Sequence, residues 1–323
     1  MIAFTELRKD RVPEVVALWN EAVTAQGQGY EQHTLAESRL EAIIGDPNSL
    51  PSGAILAEQE GKLVGFALGY VQTVDFRGEG GLDAMPGRLA GLAVKPDQWR
   101  KGIGRALLGE VERVLSRQGK SAISFESYRM PIHLARVFYL DTGPYRFMIS
   151  CGYRPKEHAL CFRNELSDFE LSDEIEQRRE RLAGEGIEVR WYEPQDRPDL
   201  LAFMKRCFPG GWFTVIKGAT EASPPRTVLI AVARGRVVGF VGPFWLPPDP
   251  SGRAGFGSPG VDPEFRGRGI GAVLFHLSLD FLKSSGARFT DYSTGISNPA
   301  RFMYFKSGAA LTAIACSTFH KAL

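Results

Sequence analysis

The chain has 323 residues, more than a single hydrophobic core usually organises, so we expect two domains. Its 39 basic and 37 acidic residues leave a net charge of +2, and 44% of the residues are hydrophobic. This balance is typical of a globular protein. It excludes a general electrostatic attraction to nucleic acid or to an anionic membrane, so any positive site must be local.

Cysteine spacing and the N-terminal region bear on the cellular compartment. Cys151, Cys161, Cys207 and Cys316 show neither CxxC spacing nor clustering with the five histidines, so we expect free thiols and no metal site. The N-terminal residues become charged too soon for a secretory signal, and the sequence has no run of about 18 apolar residues. We therefore expect a cytoplasmic protein without a membrane partner.

Apolar spacing and turn residues predict alternating helices and strands in the first half of the chain. The predicted elements are helices over 11–23 and 33–44, two strands within 53–71, a strand over 88–94, a helix over 102–119 and a strand over 120–127. A charged, helix-prone segment follows. We interpret it as a linker over 166–185, between domains at 1–165 and 186–323.

In the second half of the chain, apolar spacing and turn residues predict the same order of elements. They are a helix over 198–208, a hairpin over 226–244, strands over 254–261 and 287–294, helices over 269–284 and 298–308, and a strand over 310–319. Gly257, Pro259 and Gly260 lie inside the strand over 254–261, which predicts a bulge or a splay there. The fold class we expect is α/β with a mixed α+β arrangement, namely two tandem units with largely antiparallel twisted sheets flanked by helices.

Sequence similarity between the halves indicates a duplication. VGF occurs at 64–66 and at 238–240, and VKPDQWRKGIGRALL at 94–108 matches VDPEFRGRGIGAVLF at 261–275. FMISCGY at 147–153 corresponds to YFKSGAA at 304–310. Because the matches occur in the same order, they predict a repeated domain with loops of unequal length.

The glycine-arginine turn ahead of the helix at 269–284 has the features of a phosphate site. Unpaired N–H groups and the helix dipole favour an anion at a helix N-terminus, and Arg266 and Arg268 add bidentate donors. A Walker A loop is excluded because no Lys-Ser/Thr pair follows Gly271. A Rossmann turn fits poorly, since residues 262–266 separate the strand from the glycines. A plain strand-to-helix turn is the remaining alternative, which the duplication disfavours.

R-G-R-G-I-G at 266–271 resembles the [QR]-x-x-G-x-[GA] signature of the GNAT superfamily of N-acetyltransferases, and N-P-A-R-F-M-Y-F-K-S-G at 298–308 resembles a second segment of that family. The resemblance covers both halves and implies two GNAT-like domains that use acetyl-CoA. The residues that it implies at the cofactor are Gly260, Val261, Arg266, Gly267, Arg268, Gly269, Ile270, Gly271, Ala272 and Asn298 in the second copy. In the first copy they are Ala93, Val94, Arg100, Lys101, Gly102, Ile103, Gly104 and Arg105.

The two copies differ at positions that matter to the family. Trp99 stands where the signature has Gln or Arg, and Met148 stands where the second copy has Tyr304. We therefore expect the chemistry in the C-terminal half. The N-terminal half is expected to bind CoA weakly, to help form the acceptor site, or to be structural.

For the chemistry, the resemblance implies a general acid and a base. Tyr304 is the candidate acid toward the departing CoA sulfur, with a core aromatic as the alternative. Asp291 is the candidate base, with Glu264 and Tyr292 behind it; the alternatives are a strand-end carboxylate that makes only turn hydrogen bonds, and a water chain. We expect His276 to serve packing.

The acceptor is less well defined by the sequence. The resemblance implies a small-molecule amine as the acceptor, with an amino sugar as the specific hypothesis. We expect the protein to be a monomer or a homodimer. The alternatives are a non-catalytic CoA or acyl-CoA sensor and a structural tandem module. Four aromatic residues are either walls of an acceptor pocket or core, namely Trp212, Phe213, Phe244 and Trp245.

Overall fold

A computed structural model of the chain describes residues 2–27, 30–46, 49–73, 81, 85–126, 138–222 and 227–323. Ser127 and Arg226, the ends of two predicted strands, lie outside these residues. The described chain forms two compact units. One joins the described residues up to Ala159 with Ala313–Leu323, and the other is Leu160–Thr312. This division differs from the predicted one in two segments, because residues 160–165 belong to the second unit and 313–323 to the first.

The first unit contains the helices and strands that the sequence predicts, together with three strands and one helix that it does not predict, namely Ile2–Glu6, Phe138–Tyr139, Arg154–Glu165 and Gly143–Ser150. Its elements are β1 (Ile2–Glu6), α1 (Val12–Gln26), α2 (Glu37–Ile44), β2 (Ser49–Gln59), β3 (Lys62–Tyr70), β4 (Gly87–Val94), α3 (Ile103–Arg117), β5 (Ala122–Glu126), β6 (Phe138–Tyr139) and α4 (Gly143–Ser150). The strand β7 (Arg154–Glu165) begins in this unit and ends in the second, whereas β15 (Ala310–Ala322) begins in the second and ends in the first.

The sheet of the first unit is mostly antiparallel. The strand order is β1-β2-β3-β4-β5-β15, and β4 with β5 is the parallel pair. The register of β5 with β15 runs from Ala122 opposite Ala322 to Glu126 opposite Thr318. Backbone hydrogen bonds to the end of β15 therefore complete this sheet, which is why residues 313–323 group with the first unit.

Helix α3 packs closely on the sheet of the first unit. Its buried stripe of Ile103, Leu107, Val111 and Leu115 has the spacing of one helical face. A Cβ added at Gly65 of β3 would lie 2.7 Å from Leu107 Cδ1. The absence of a side chain at this glycine therefore lets the helix approach the strand, which fixes the position of the helix N-terminus.

The second unit repeats this order after an additional helix. Its elements are α5 (Asp173–Gly184), β8 (Ile187–Trp191), α6 (Arg197–Cys207), α7 (Gly211–Glu221), β9 (Leu229–Ala233), β10 (Arg236–Val241), β11 (Phe244–Trp245), β12 (Gly255–Phe256), β13 (Gly260–Val261), α8 (Ile270–Ser284), β14 (Phe289–Gly295) and α9 (Ala300–Lys306). The segment predicted as a helical linker over 166–185 contains α5, and its role as a linker between domains stays a prediction.

The sheet of the second unit has the order β13-β10-β9-β8, all antiparallel, while β11 pairs with β12. The strand β14 lies beside β7, whose residues from Leu160 onward belong to this unit. Gly239 in β10 lies under α8, where an added Cβ would be 3.2 Å from Ile270 and from Leu274. The mixed α/β class with largely antiparallel sheets is thus confirmed. None of the described helices is long and apolar enough to cross a membrane.

Candidate active site

The glycine-arginine turn of the second unit joins β13 to α8. A single 3-10 turn over Pro263–Phe265 precedes it, and Gly267 and Gly269 have φ of +80° and +92°. Such angles suit glycine and are unfavourable for residues with a Cβ. At the start of α8, Val273 N donates to the carbonyl oxygen of Gly269, the residue that precedes the helix, at 3.1 Å. The N–H groups from Ile270 to Ala272 therefore precede the helical ladder, as an anion site requires.

Asp262 anchors the start of this turn. Its carboxylate accepts hydrogen bonds from Glu264 N at 3.0 Å and from the Arg206 guanidinium at 2.8 Å, and its own N–H donates to Val238 O at 2.8 Å. Burial alone would raise the pKa of this carboxyl, but the bonds from Arg206 and Glu264 hold it below its usual value. Asp262 thus stays charged and fixes the turn to α6 and β10.

The two arginines of the turn are exposed and only partly engaged. Arg266 Nε donates to Val261 O at 3.1 Å. The Arg268 guanidinium lies 5.3 Å from the centre of the Phe265 ring and 3.9 Å from the Glu185 carboxylate. Both keep guanidinium donors at the surface beside the helix N-terminus, where they add to its attraction for an anion.

The turn of the first unit has nearly the same backbone despite its different residues. Trp99 has φ −63° and ψ 153°, against −67° and 159° at Arg266. Arg100 takes φ +65° where Gly267 stands, and Gly102 takes +85°. The Trp99 indole N–H donates to Val94 O at 2.7 Å. It therefore makes the contact that Arg266 Nε makes in the second unit.

The other site residues predicted in the first unit have local partners. Ala93 and Val94 end β4 opposite Phe66 and Gly65, just before the turn. Lys101 Nζ donates to Gln98 Oε1 at 3.1 Å. Arg105 donates to the carbonyl oxygen of Ser150 from both terminal nitrogens at 3.1 Å, which ties α3 to α4.

Beside each turn, the parallel strand pairing is short. In the first unit the register of β4 with β5 covers Gly87 with Ile123 and Arg88 with Ser124, although β4 continues to Val94. In the second unit a single parallel bridge joins Arg253 to Phe289. Within the described residues, the strands therefore stop pairing toward the turn in both units, which leaves backbone groups of β4 and of residues 255–261 without a partner strand on that side.

The predicted interruption of the strand over 254–261 is confirmed. Its first part pairs with β11 and its last part with β10, and residues 257–259 lie between the two ladders. Gly257 N donates to Pro243 O at 2.8 Å, and a Cβ at Gly257 would lie only 2.0 Å from Gly242 O. Close backbone approach thus requires glycine at the break.

Tyr304 of α9 lies in an aromatic cluster of the second unit. Its side chain is 5% exposed, and its ring centre is 4.7 Å from Tyr292, 5.0 Å from Phe275 and 5.6 Å from Phe162. Met148, its counterpart in the first unit, is also buried. Packing against these aromatic rings accounts for the buried position of the Tyr304 ring. The role of its hydroxyl as a general acid stays a prediction.

Asp291 is engaged in an ion pair. Arg163 Nε and Nη2 donate to its two carboxylate oxygens at 2.7 and 2.9 Å, and the guanidinium lies 4.0 Å from the centre of the Phe289 ring. This pair favours the alternative of a structural carboxylate on β14. The role of Asp291 as a base therefore stays a prediction without support from its contacts.

Asn298 lies just before the short helix α9. Its Oδ1 accepts a hydrogen bond from Ala300 N at 3.0 Å, and the side chain is exposed. This contact is an Asx-turn, in which an asparagine side chain bonds to the backbone two residues on. Contact with a cofactor stays a prediction for this residue.

His276 is partly buried and Phe244 is buried, whereas Trp212 and Trp245 are exposed. The His276 Nδ1–H donates to Ala272 O at 2.8 Å, and burial lowers the pKa of this imidazole. Phe244 is buried beside Trp191 and Phe281. Trp212 and Trp245 keep 40% and 47% of their surface exposed. Phe213 is partly buried against the core of the second unit, so among the four candidates Trp212 and Trp245 offer the most surface to an acceptor.

One polar network of the second unit was not predicted. Tyr292 Oη donates to Asn164 Oδ1 at 2.5 Å, and Asn164 Nδ2 donates to Ser307 O at 3.1 Å. The Asn164 side chain is buried and links β14 to the end of α9. Its partners lie more than a hundred positions away, so no local sequence pattern could reveal it.

Comparison with known proteins agrees with this geometry. The model of the acetyltransferase (GNAT) family matches residues 14–136 and 197–308, one segment in each half. An uncharacterized N-acetyltransferase of Methanocaldococcus jannaschii is 37% identical over 46 residues, which are 14% of this chain and 20% of that protein. The match to this relative is therefore local.

Several solved structures share the fold over the whole chain. A GCN5-related N-acetyltransferase from Sphaerobacter thermophilus is 18% identical with a TM-score of 0.69, covering 99% of this chain and 95% of that one. A tandem GNAT protein from the clavulanic acid biosynthesis pathway is 15% identical with a TM-score of 0.66, covering 100% and 98%. A glucosamine N-acetyltransferase region of a fungal multi-domain β-N-acetylglucosaminidase is 20% identical with a TM-score of 0.77, covering 99% of this chain and 38% of that one.

Proposed function

Because the chain belongs to the GNAT acetyltransferase family, we propose that it transfers an acetyl group from acetyl-CoA to a primary amine of a small molecule. The observation that carries the proposal is the turn over Arg266–Gly271, with two left-handed glycines and free N–H groups at the start of α8. An added Cβ at Gly267 would meet nothing within 4 Å, which leaves open space beside this glycine for a phosphate group.

In the proposed reaction a neutral amine attacks the thioester carbonyl that acetyl-CoA would supply. A C–N bond forms, the C–S bond breaks, the nitrogen loses a proton and the thiolate gains one. Residues 254–261 would offer a backbone N–H to the carbonyl oxygen where the strand is interrupted. Tyr304 would protonate the sulfur. Since Asp291 is held by Arg163, we propose that water carries the proton from the amine.

The acceptor that we propose is an amino sugar or a similar small amine. Support comes from the near-neutral charge, which disfavours nucleic acid as an acceptor, and from the fold shared with the fungal glucosamine N-acetyltransferase region. At 20% identity this likeness extends to the fold alone. Glucosamine therefore enters the experiment as one member of a panel.

The experiment measures thiol release from acetyl-CoA with glucosamine, a polyamine and an aminoglycoside, together with CoA binding by calorimetry. We expect CoA binding and turnover with at least one amine. Binding without turnover would favour a CoA sensor, the second candidate, which the occupied Asp291 carboxylate supports. Absence of CoA binding would contradict both the acetyltransferase and the CoA sensor.

A further inference from the structure

Helix α5 lies against the glycine-arginine turn of the second unit. An added Cβ at Gly269 would be 2.6 Å from Arg178 Cδ and 2.9 Å from Arg178 Nη1, so the arginine side chain covers this glycine. Glu185, directly after α5, lies 3.9 Å from Arg268. The helix that precedes the second copy thus forms one wall of the turn.

The turn of the first unit has no comparable cover. An added Cβ at Gly102, the counterpart of Gly269, would meet nothing within 4 Å among the described atoms. The two glycines have similar φ of +85° and +92°, so backbone geometry does not explain the difference. The side chain of Arg178 therefore distinguishes the C-terminal turn from its N-terminal copy.

The hydrogen bonds of Arg178 leave part of its guanidinium unused. Nη2 donates to Glu174 Oε1 at 2.7 Å, one helical turn earlier, which holds the side chain in place. Nε is buried, and no described residue accepts a hydrogen bond from it. A buried N–H without an acceptor is costly, and a guanidinium binds phosphate oxygens through paired donors.

We propose that Arg178 is a cofactor-binding residue, whose guanidinium binds a phosphate oxygen of CoA beside Arg266 and Arg268. The inference rests on the proposed function, because it takes CoA as the anion at this turn. It goes further in assigning part of the cofactor site to α5, a helix outside the repeated fold. It also predicts that the C-terminal turn binds CoA more tightly than the N-terminal one.

The test compares Arg178→Ala and Arg178→Lys with Arg179→Ala in the full chain. Arg179 is the matched control because it lies on the same helix, 3.8 Å from Glu176, and within the described part of the chain it makes no ion pair or hydrogen bond with the turn. CoA affinity is measured by calorimetry and KM with S-acetylpantetheine by thiol release. We expect about tenfold weaker CoA binding for Arg178→Ala, a smaller loss for Arg178→Lys and none for Arg179→Ala.

A merely structural role of Arg178 would give a different pattern. S-acetylpantetheine lacks the phosphates, so its KM should not change in Arg178→Ala. Unchanged CoA affinity in Arg178→Ala, or equal losses with both compounds, would overturn the inference while leaving the proposed function intact. Failure of the unmodified chain to bind CoA would overturn both the inference about Arg178 and the proposed function. If Arg178→Ala does not fold, as judged by near-ultraviolet circular dichroism, Arg178→Lys decides by the same comparison.

Discussion

Tyr304 combines a packed ring with a hydroxyl that the proposed reaction requires. Replacing it with phenylalanine keeps the ring among Phe162, Phe275 and Tyr292 and removes only the hydroxyl. We expect kcat of Tyr304→Phe to fall by about 10²-fold, with CoA affinity unchanged, because proton transfer typically contributes such a factor. Steady-state kinetics and calorimetry measure the two quantities. Unaltered kcat would remove Tyr304 from the mechanism.

His276 should make stability depend on pH. Burial lowers its pKa in the folded chain, so below about pH 6.5, the ordinary value for histidine, the unfolded chain binds the proton more readily. The free energy of unfolding should thus be fully retained above that pH and should decrease as the pH falls toward the folded pKa. Urea denaturation between pH 5.5 and 7.5 tests this, since His276→Leu should reduce the slope. An identical slope in both proteins would contradict it.

Sequence reasoning at single positions succeeded where chemistry is local and failed where partners are distant. The positive φ of Gly267 and Gly269 follows from their pattern before an apolar helix. Trp99 was predicted to be a departure from the phosphate signature. The structure shows that its indole N–H takes over the contact of Arg266 Nε. Asn164 and Arg163 could not be assigned, because their partners in β14 lie 128 positions away.

At the scale of elements, the two turns allow a direct comparison. Arg266→Ala with Arg268→Ala removes exposed donors beside α8, and Arg100→Ala with Lys101→Ala removes those beside α3. We expect the first pair to weaken CoA binding by about tenfold or more and to lower turnover, because charged hydrogen bonds to phosphate are lost.

The second pair of substitutions is expected to have a smaller effect on turnover. Calorimetry and thiol release distinguish the two pairs in proteins of equal net charge. A larger loss of turnover from the Arg100 and Lys101 pair would place the active site in the N-terminal half instead.

The helices and strands that the sequence predicts were recognisable because apolar periodicity and glycine-rich turns are local signals. The strand β8 and the helix α7 were not predicted. The predicted strand over 254–261, with its interruption, became β12 and β13. The partner of the last strand was not predictable. Nothing in 310–319 distinguishes pairing with β14 from pairing with β5, since strand register depends on neighbours far apart in sequence.

At the scale of the whole molecule, the end of β15 should determine the stability of the first unit. Phe319 is fully buried opposite Phe125 of β5. We expect Phe319→Ala to lower the free energy of unfolding by about 3–5 kcal/mol, as for other buried phenylalanines. Phe302→Ala is the control, because Phe302 is 58% exposed and should change stability by less than about 0.5 kcal/mol. Urea denaturation measures both, and equal effects would contradict the assignment of β15 to the first core.

The pairing of Ala122 with Ala322 has a consequence for synthesis on the ribosome. The edge of β5 that pairs with β15 leaves the ribosome long before its partner strand is made. It therefore stays unpaired until most of the second half of the chain has been synthesised. An unpaired strand edge is prone to pair with other chains during that interval. The N-terminal half thus matures only after the C-terminal half has been translated, so the two halves of this duplication cannot be separated at the linker without leaving one of them unfinished.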